Sequence, residues 1–452
     1  MLASERAQGM SDGELESRLV CAGCGAALDP SAPLPFRCPA ASEREEIDHV
    51  LRVRIADEGL REIARALAAS DERSPFLRFR RLMHSYRLAR RLGMSDADYV
   101  GLVGALDRAV AEVDGVGFVE TPYGYNAGLD LWIKDETGNV GGSHKARHLM
   151  GLAVHMEVVS RLGLVDLRDR ELAIASCGNA ALAASLVAKA AGRRLRVFVP
   201  TSAKPSVLRR LRELDAVIEV CPRRLEDPPG DPCYHRFREA LAGGALPFSC
   251  QGPDNGLTIQ GGMTLGWELA LQHRAQSDAP LGEVFVQVGG GALASGVSQA
   301  LELAERAGLV PFQPRLFAVQ TANAHPLHRA FERVRELARM TGPKAALATA
   351  QRHRRDFMSP WPSVPESVAD GILDDETYDW ASIVETLLAT GGEVVLADEA
   401  TLLRACEAVE RELGVLACAT GTSGIAGVLT RRADRADDPG VQKAAFVTGV
   451  RR

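Results

Sequence analysis

Apolar residues recur at three- and four-residue intervals through LREIARALAAS, PFLRFRRLMHSYRLARRLG and DYVGLVGALDRAVAEV, which predicts helices between about residues 60 and 112. Gly93 suits a helix C-cap and Ser95 the N-cap that follows. From Leu129 onward the pattern changes. Short apolar, often β-branched runs (LWI, ELAIAS, LRVFVP, AVIEV, LPFSC, EVFVQV, RLFAVQ, EVVLA and AAFVT) alternate with amphipathic segments such as AALAASLVAKAAG and TLLRACEAVERELG. Continuous apolar strands separated by helices predict an α/β fold with buried, mostly parallel sheets and crossover helices. No fixed-period repeat is present. The weakest pattern runs from 341 to 379, where Pro343, Pro360, Pro362 and Pro365 punctuate a mixed-charge segment. It reads as an insertion serving as a lid or an oligomer contact.

The chain has 452 residues, which is too long for one ordinary core, so two packed lobes are expected. No window reaches the ~18 consecutive apolar residues of a membrane helix, and the polar start MLASERAQGMSDGELESRL lacks a signal-peptide core. A cytoplasmic protein is expected. A net charge of −6 without a basic stripe argues against nucleic acid, and RHRR at 352–355 is too short to change that. Nine cysteines in a chain of this length fit a reduced compartment. Cys21 and Cys24 form a CxxC, Cys38 follows, and His49 is placed to complete a Cys₃His zinc tetrahedron. The alternative is a set of reduced thiols in a short N-terminal appendage.

In open α/β sheets ligands bind beyond the carboxyl ends of the strands, and three strand-to-helix junctions are unusual here. In GNVGGSHKAR, Lys145 opens a segment whose Leu149, Leu152, Ala153, Met156 and Val159 share one helical face, with Gly163 as its stop. The first turn of a helix disfavours a cation, so this lysine suits a nucleophilic amine better than stability. In ELAIASCGN, Ser176, Cys177, Gly178 and Asn179 form a polar turn with free amides that suits a carboxylate or phenolic oxygen, or simply an N-cap. In EVFVQVGGGALASG, Gly289, Gly290 and Gly291 bring amides to the start of a helix expected from Leu293, an anion cradle without the lysine of a P-loop. A ligand carrying both an aldehyde and a phosphate would use all three, which describes pyridoxal phosphate held as a Schiff base.

These motifs resemble the fold type II pyridoxal-phosphate enzymes, the family of threonine synthase, serine/threonine dehydratases and cysteine synthase. TPYGYNAGLDLWIKDETGNVGGSHKARHL, ASCGNAALAAS, VQVGGGALASG and the closing AAFVTG follow the family's order over roughly residues 120 to 450. The resemblance implies two open, twisted, mostly parallel sheets of the tryptophan synthase β type. A large cofactor-binding domain would comprise 61–149 and 266–452, a small mobile domain 150–265, and a cysteine-containing appendage 1–60. It further implies a homodimer. Lys145 would form the Schiff base and act as acid/base at the substrate Cα. Asn179 would meet the cofactor's 3′-oxygen, and Gly289, Gly290, Gly291 and Ala292 its phosphate. Ser176, Cys177 and Gly178 would receive the substrate carboxylate, and Thr448 would face the pyridine nitrogen. A hydroxyl there makes a weaker electron sink than an aspartate would.

Three positions depart from the family pattern. His144 stands where phenylalanine is usual, as a second acid/base or a packed ring. Ala146 follows dehydratases and racemases, and Cys177 replaces a serine or threonine. The expected activity is a lyase working by β-elimination or β-replacement on a small hydroxy or activated-hydroxy amino acid, through an aminoacrylate. Alternatives are a threonine-synthase-like β,γ-replacement, needing a second anion pocket to which Arg147, Lys204 and Arg209 could contribute, and a non-catalytic pyridoxal-phosphate or amino-acid binding protein.

Overall fold

A computed structural model describes residues 17–42, 46–434, 438 and 440–451. In chain order its strands are β1 Ser17–Cys21, β2 Ala27–Leu28, β3 Leu51–Ile55, β4 Tyr123–Asn126, β5 Leu131–Asp135, β6 Leu172–Ala175, β7 Leu195–Val199, β8 Val217–Val220, β9 Leu246–Pro247, β10 Leu281–Gln287, β11 Arg315–Thr321, β12 Glu393–Ala397 and β13 Gln442–Val447. They form a three-stranded antiparallel sheet (β2-β1-β3), a six-stranded sheet (β12-β11-β10-β13-β5-β4) and a four-stranded sheet (β8-β7-β6-β9). The four-stranded sheet is parallel throughout, and the six-stranded one is parallel except for β4 against β5. All nine apolar runs read as strands are strands. The antiparallel β4 and the N-terminal sheet are additions, because they are too short and mixed in polarity to give a period.

Alternation along each strand explains why the runs are apolar throughout. On β10, Val284 and Val286 face one core, shared with helices Thr258–Gln276 and Ala292–Arg306. Phe285 points the other way, stacks on Phe317 at 4.7 Å, and is covered by helix Ala419–Ala433. With both faces buried, the run Val284–Val286 is apolar throughout; Glu283, before it, is buried in a pair with Arg315, and Gln287 closes it.

Helices lie where the periodicity puts them, Leu60–Ala68 and Asp96–Asp114 among them, and Ser95 caps the latter by accepting from the Asp98 amide at 3.0 Å. The middle segment breaks into Pro75–Arg78, a 3₁₀ turn and His84–Arg91. The domain boundaries at 149/150 and 265/266 fall inside continuous helices, Lys145–Arg161 and Thr258–Gln276, which pack against each other. A shift in strand pattern cannot reveal that a helix is shared between two layers. Part of 341–379 is regular, with helices Pro343–Arg352 and Arg354–Phe357 preceding an irregular run from 358.

The N-terminal sheet is docked on the main body. The Asp48 amide donates to Gln351 O at 2.7 Å, His155 Nε2 meets Pro33 O at 2.8 Å, and Arg52 pairs with Glu385. Among the described residues no helix is long and apolar enough to cross a membrane.

Candidate active site

The segments after β5, β6 and β10 lead into helices carrying Lys145, Asn179 and the glycine loop, and Thr448 lies just past the end of β13. Lys145 is the first residue of its helix. The turn before it is stapled to the end of β13. Ser143 bridges Gly449, and both the His144 amide (3.3 Å) and His144 Nδ1 (3.4 Å) lie on the Thr448 carbonyl. A carbonyl only accepts, so Nδ1 carries the proton and Nε2 is bare. That nitrogen is buried and has no hydrogen-bond partner among the described residues. Burial and the neighbouring Lys145 hold His144 well below its ordinary pKa, so it is a neutral base. His148, one turn on, donates from Nδ1 to Thr258 O at 2.9 Å, and burial holds it down at about 3.

Thr448 is buried, and its hydroxyl oxygen accepts from Gln287 Nε2. The same Nε2 donates to Gly421 O at 3.1 Å, which fixes the orientation of the amide. With its lone pair engaged, the Thr448 hydroxyl has its proton free to donate elsewhere. Asn179 opens helix Asn179–Ala190 and its amide nitrogen lies against Gly449, where an added Cβ would meet it at 2.8 Å. Asn179 and Thr448 are therefore brought together as expected. In the turn before Asn179, Ser176 Oγ accepts from the Gly178 amide at 3.3 Å and Cys177 is exposed.

The glycine loop has the geometry of an anion cradle. Gly291 takes φ 97°, a left-handed conformation that frees the amides, and the helix begins at Ala292, one residue earlier than expected. The loop is covered. Gly290 O accepts from the Asp379 amide at 3.0 Å, and Gly289 O accepts from Thr377 Oγ at 3.0 Å. Gly289 is obligatory because a Cβ there would meet Ile372 Cα at 2.8 Å and would run into the Asp374 carboxylate. The Asp374 carboxylate lies against Gly289 and Gly290, as an anion would at this loop, and with Lys145 and Thr448 the residues fit a phosphate-bearing aldehyde cofactor.

Arg147 corrects an expectation. It was a possible contact for a second anion, but it is fully buried and pairs with Glu136 (2.8 Å) and Glu268 (2.6 Å), while Lys134 pairs with Glu268 at 2.7 Å. The helical register turns Arg147 away from Lys145 and into the core behind it. Lys204 is likewise committed, to Asp370 at 2.5 Å, and Arg209 is exposed.

The four expected metal ligands come together: one donor atom each from Cys21, Cys24, Cys38 and His49 lies within 4.8 Å of the others. Cys21 Sγ is 3.5 Å from His49 Nδ1 and Cys24 Sγ is 3.6 Å from Cys38 Sγ. Bonds of ~2.3 Å at tetrahedral angles give S···S edges near ~3.8 Å.

Sequence reasoning missed Gln287, Asp374 and Asp379. A polar residue closing an otherwise apolar strand was the available signal for Gln287. Nothing in DDETYD distinguishes a solvated acidic loop from one folded inward.

Residues 119–448 match the family model described as pyridoxal-phosphate dependent enzyme. Threonine synthase 2, chloroplastic, of Arabidopsis thaliana is 28% identical over 203 residues, which is 44% of this chain and 36% of that protein, so the chain spans about a third of the curated relative it matches. Serine racemase of maize superposes with a TM-score of 0.55 at 19% identity over 77% of this chain and 92% of that one. The processed form of threonine deaminase isoform 2 from Solanum lycopersicum gives 0.56 at 17% identity over 79% and 91%. A fungal L-serine ammonia-lyase from Rhizomucor miehei gives 0.54 at 17% over 74% and 94%. At such identities the solved structures speak to the fold alone. With the family model spanning most of the chain and with Lys145, Asn179, the glycine cradle and Thr448 assembled at strand ends, the chain belongs to the pyridoxal-phosphate dependent enzymes, in their fold type II architecture.

Proposed function

We propose that the chain is a lyase that catalyses β-elimination or β-replacement on a small amino acid with a hydroxyl or activated hydroxyl at Cβ. The observation that carries this reading is the Gln287–Thr448 pair. Its oriented hydroxyl is a neutral donor where the pyridine nitrogen would lie, so the ring would be held without a full positive charge. Pyridoxal phosphate, when bound, supplies a conjugated ring that accepts electrons from the substrate Cα. A neutral ring is a modest sink, which favours expulsion of a β leaving group over reactions that need a long-lived carbanion.

The chain's own residues would share the remaining work. Residues 289–292 hold the phosphate, Asn179 the 3′-oxygen, and the amides of Ser176, Cys177 and Gly178 the substrate carboxylate. Lys145 Nζ, at the first residue of its helix, takes the Cα proton. Neutral His144 presents its bare Nε2 to the site as a hydrogen-bond acceptor. Water is excluded by residues 359–379, tied to Lys204 through Asp370. We also propose a structural zinc on Cys21, Cys24, Cys38 and His49, supported by the near-tetrahedral spacing of the donors. Metal analysis of the purified chain, with loss of a melting transition on chelation, tests it.

A threonine-synthase-like β,γ-replacement is favoured by the N-terminal cysteines and by the Arabidopsis relative. It is disfavoured by the commitment of Arg147 and Lys204 to carboxylates, which leaves only Arg209 of the three expected cations for a second phosphate. The test is visible absorption on adding pyridoxal phosphate, its loss in Lys145→Ala, and keto-acid release from L-serine, L-threonine, their phosphorylated or acetylated forms and the D-isomers. Lys145→Ala should lower turnover by about 10²–10⁴-fold. Failure of the wild-type chain to bind pyridoxal phosphate in excess would refute the reading. Binding without any conversion would favour a non-catalytic binding protein.

A further inference from the structure

The segment after Met358 is held by four ties, two of them on the glycine cradle. Asp370 pairs with Lys204, from the loop after β7, and the Gly371 amide donates to Thr420 Oγ at 2.9 Å. Thr377 Oγ and the Asp379 amide hold the carbonyls of Gly289 and Gly290. Between these ties Asp374 turns its carboxylate inward. It lies over Gly289, and a Cβ on Gly290 would stand 3.7 Å from its Oδ1 and 3.0 Å from the Tyr378 ring. No Lys, Arg or His makes a salt bridge with it among the described residues. What faces it is the backbone of Gly289 and Gly290, at the positive end of the fifteen-residue helix Ala292–Arg306, with Lys145 near enough to act on its charge. An acidic side chain has thus taken the position that backbone geometry prepares for an anion.

We propose that residues 371–379 are a self-occluding lid in which the Asp374 carboxylate occupies the cradle as a stand-in for phosphate and must swing out before a phosphate is seated. The inference rests on the family reading only in naming the phosphate as that of pyridoxal phosphate. Two anions cannot share one set of amides, because each would raise the cost of the other's charge. The carbonyl ties of Thr377 and Asp379 belong to the same segment and hold the Asp374 carboxylate over the cradle while the lid is closed. Cofactor affinity is then reduced by the fraction of molecules with the lid closed.

Asp374→Asn keeps the shape and removes the charge, and an unchanged melting temperature will show that it folds. Titration of the cofactor-free chain with pyridoxal phosphate and with pyridoxal, followed by absorbance, is expected to give about tenfold tighter binding of pyridoxal phosphate by the variant, as for a lid closed in nine molecules of ten, with pyridoxal unchanged. Equal or weaker binding of pyridoxal phosphate by the variant overturns the proposal, as does an equal gain for both ligands. Hydrogen exchange of 371–379 in the wild-type chain, with and without inorganic phosphate, separates the two levels of inference. If neither form binds pyridoxal phosphate, the functional reading falls. The lid then stands if phosphate speeds exchange of 371–379 and falls if it does not.

Discussion

Helix Lys145–Arg161 has buried charge on two sides, arranged in opposite ways. Behind it, Arg147 and Lys134 are interleaved with Glu136 and Glu268, with Thr121 donating to Glu136 at 2.5 Å. Burial works against ionisation, but Arg147 and Lys134 hold Glu268 down at about 2. In front of it, Asp374, Asp375 and Asp379 are turned inward without a salt-bridging cation among the described residues. Burial pushes all three up, Asp375 to about 6 and Asp379 to about 7. The rear set neutralises itself and can only hold the helix in place. The front set carries a cost that a change of ligand or protonation relieves, and such groups collect at functional sites.

The contrast can be broken most severely from behind. Arg147→Met leaves two glutamates facing one lysine in a dry environment, and chemical denaturation should show a loss of about 3–5 kcal/mol. A loss near zero would mean that the network is wetter than its burial implies. The next effect concerns pH. Glu268 is ionised more readily in the folded chain than at its usual 4.5, so its contribution is present above that value and lost as pH falls towards 2. Asp379 has the opposite sign. It binds its proton more tightly folded than at the usual 3.8, so its contribution is complete below about pH 4 and lost as pH rises through 7. Asp379→Asn keeps an acceptor for the Gly252 amide and should flatten the fall in stability between pH 4 and 7, by roughly 1–3 kcal/mol at the upper end. An unaltered slope would assign that fall to other groups. The smallest effect is expected at the rim. Lys204→Ala removes a solvent-exposed pair and should cost about 0–1 kcal/mol, but faster hydrogen exchange around Asp370 would show that it latches the lid.

The legibility of the two sides in the sequence differs for the same reason. Asn179, the three glycines and Thr448 were readable because each lies within a few residues of an apolar strand end, and Lys145 because it opens an amphipathic helix, so local order along the chain determines where each points. The nine strands were readable because both sheet faces are buried. Arg147 was misread because its partners lie 11 residues before it and 121 after it. Asp374 was invisible because an acidic loop that folds inward has the same composition as one that does not.

Sequence by itself determined the α/β layering, the lysine at a helix start, the anion cradle and the cysteine–histidine set, since each depends on periodicity or on neighbours within a few residues. Tertiary structure alone decided which charges are neutralised, which way Gln287 orients the Thr448 hydroxyl, and which carboxylate lies on the cradle. Those outcomes depend on desolvation and on contacts between segments far apart in the chain, and no local pattern records them.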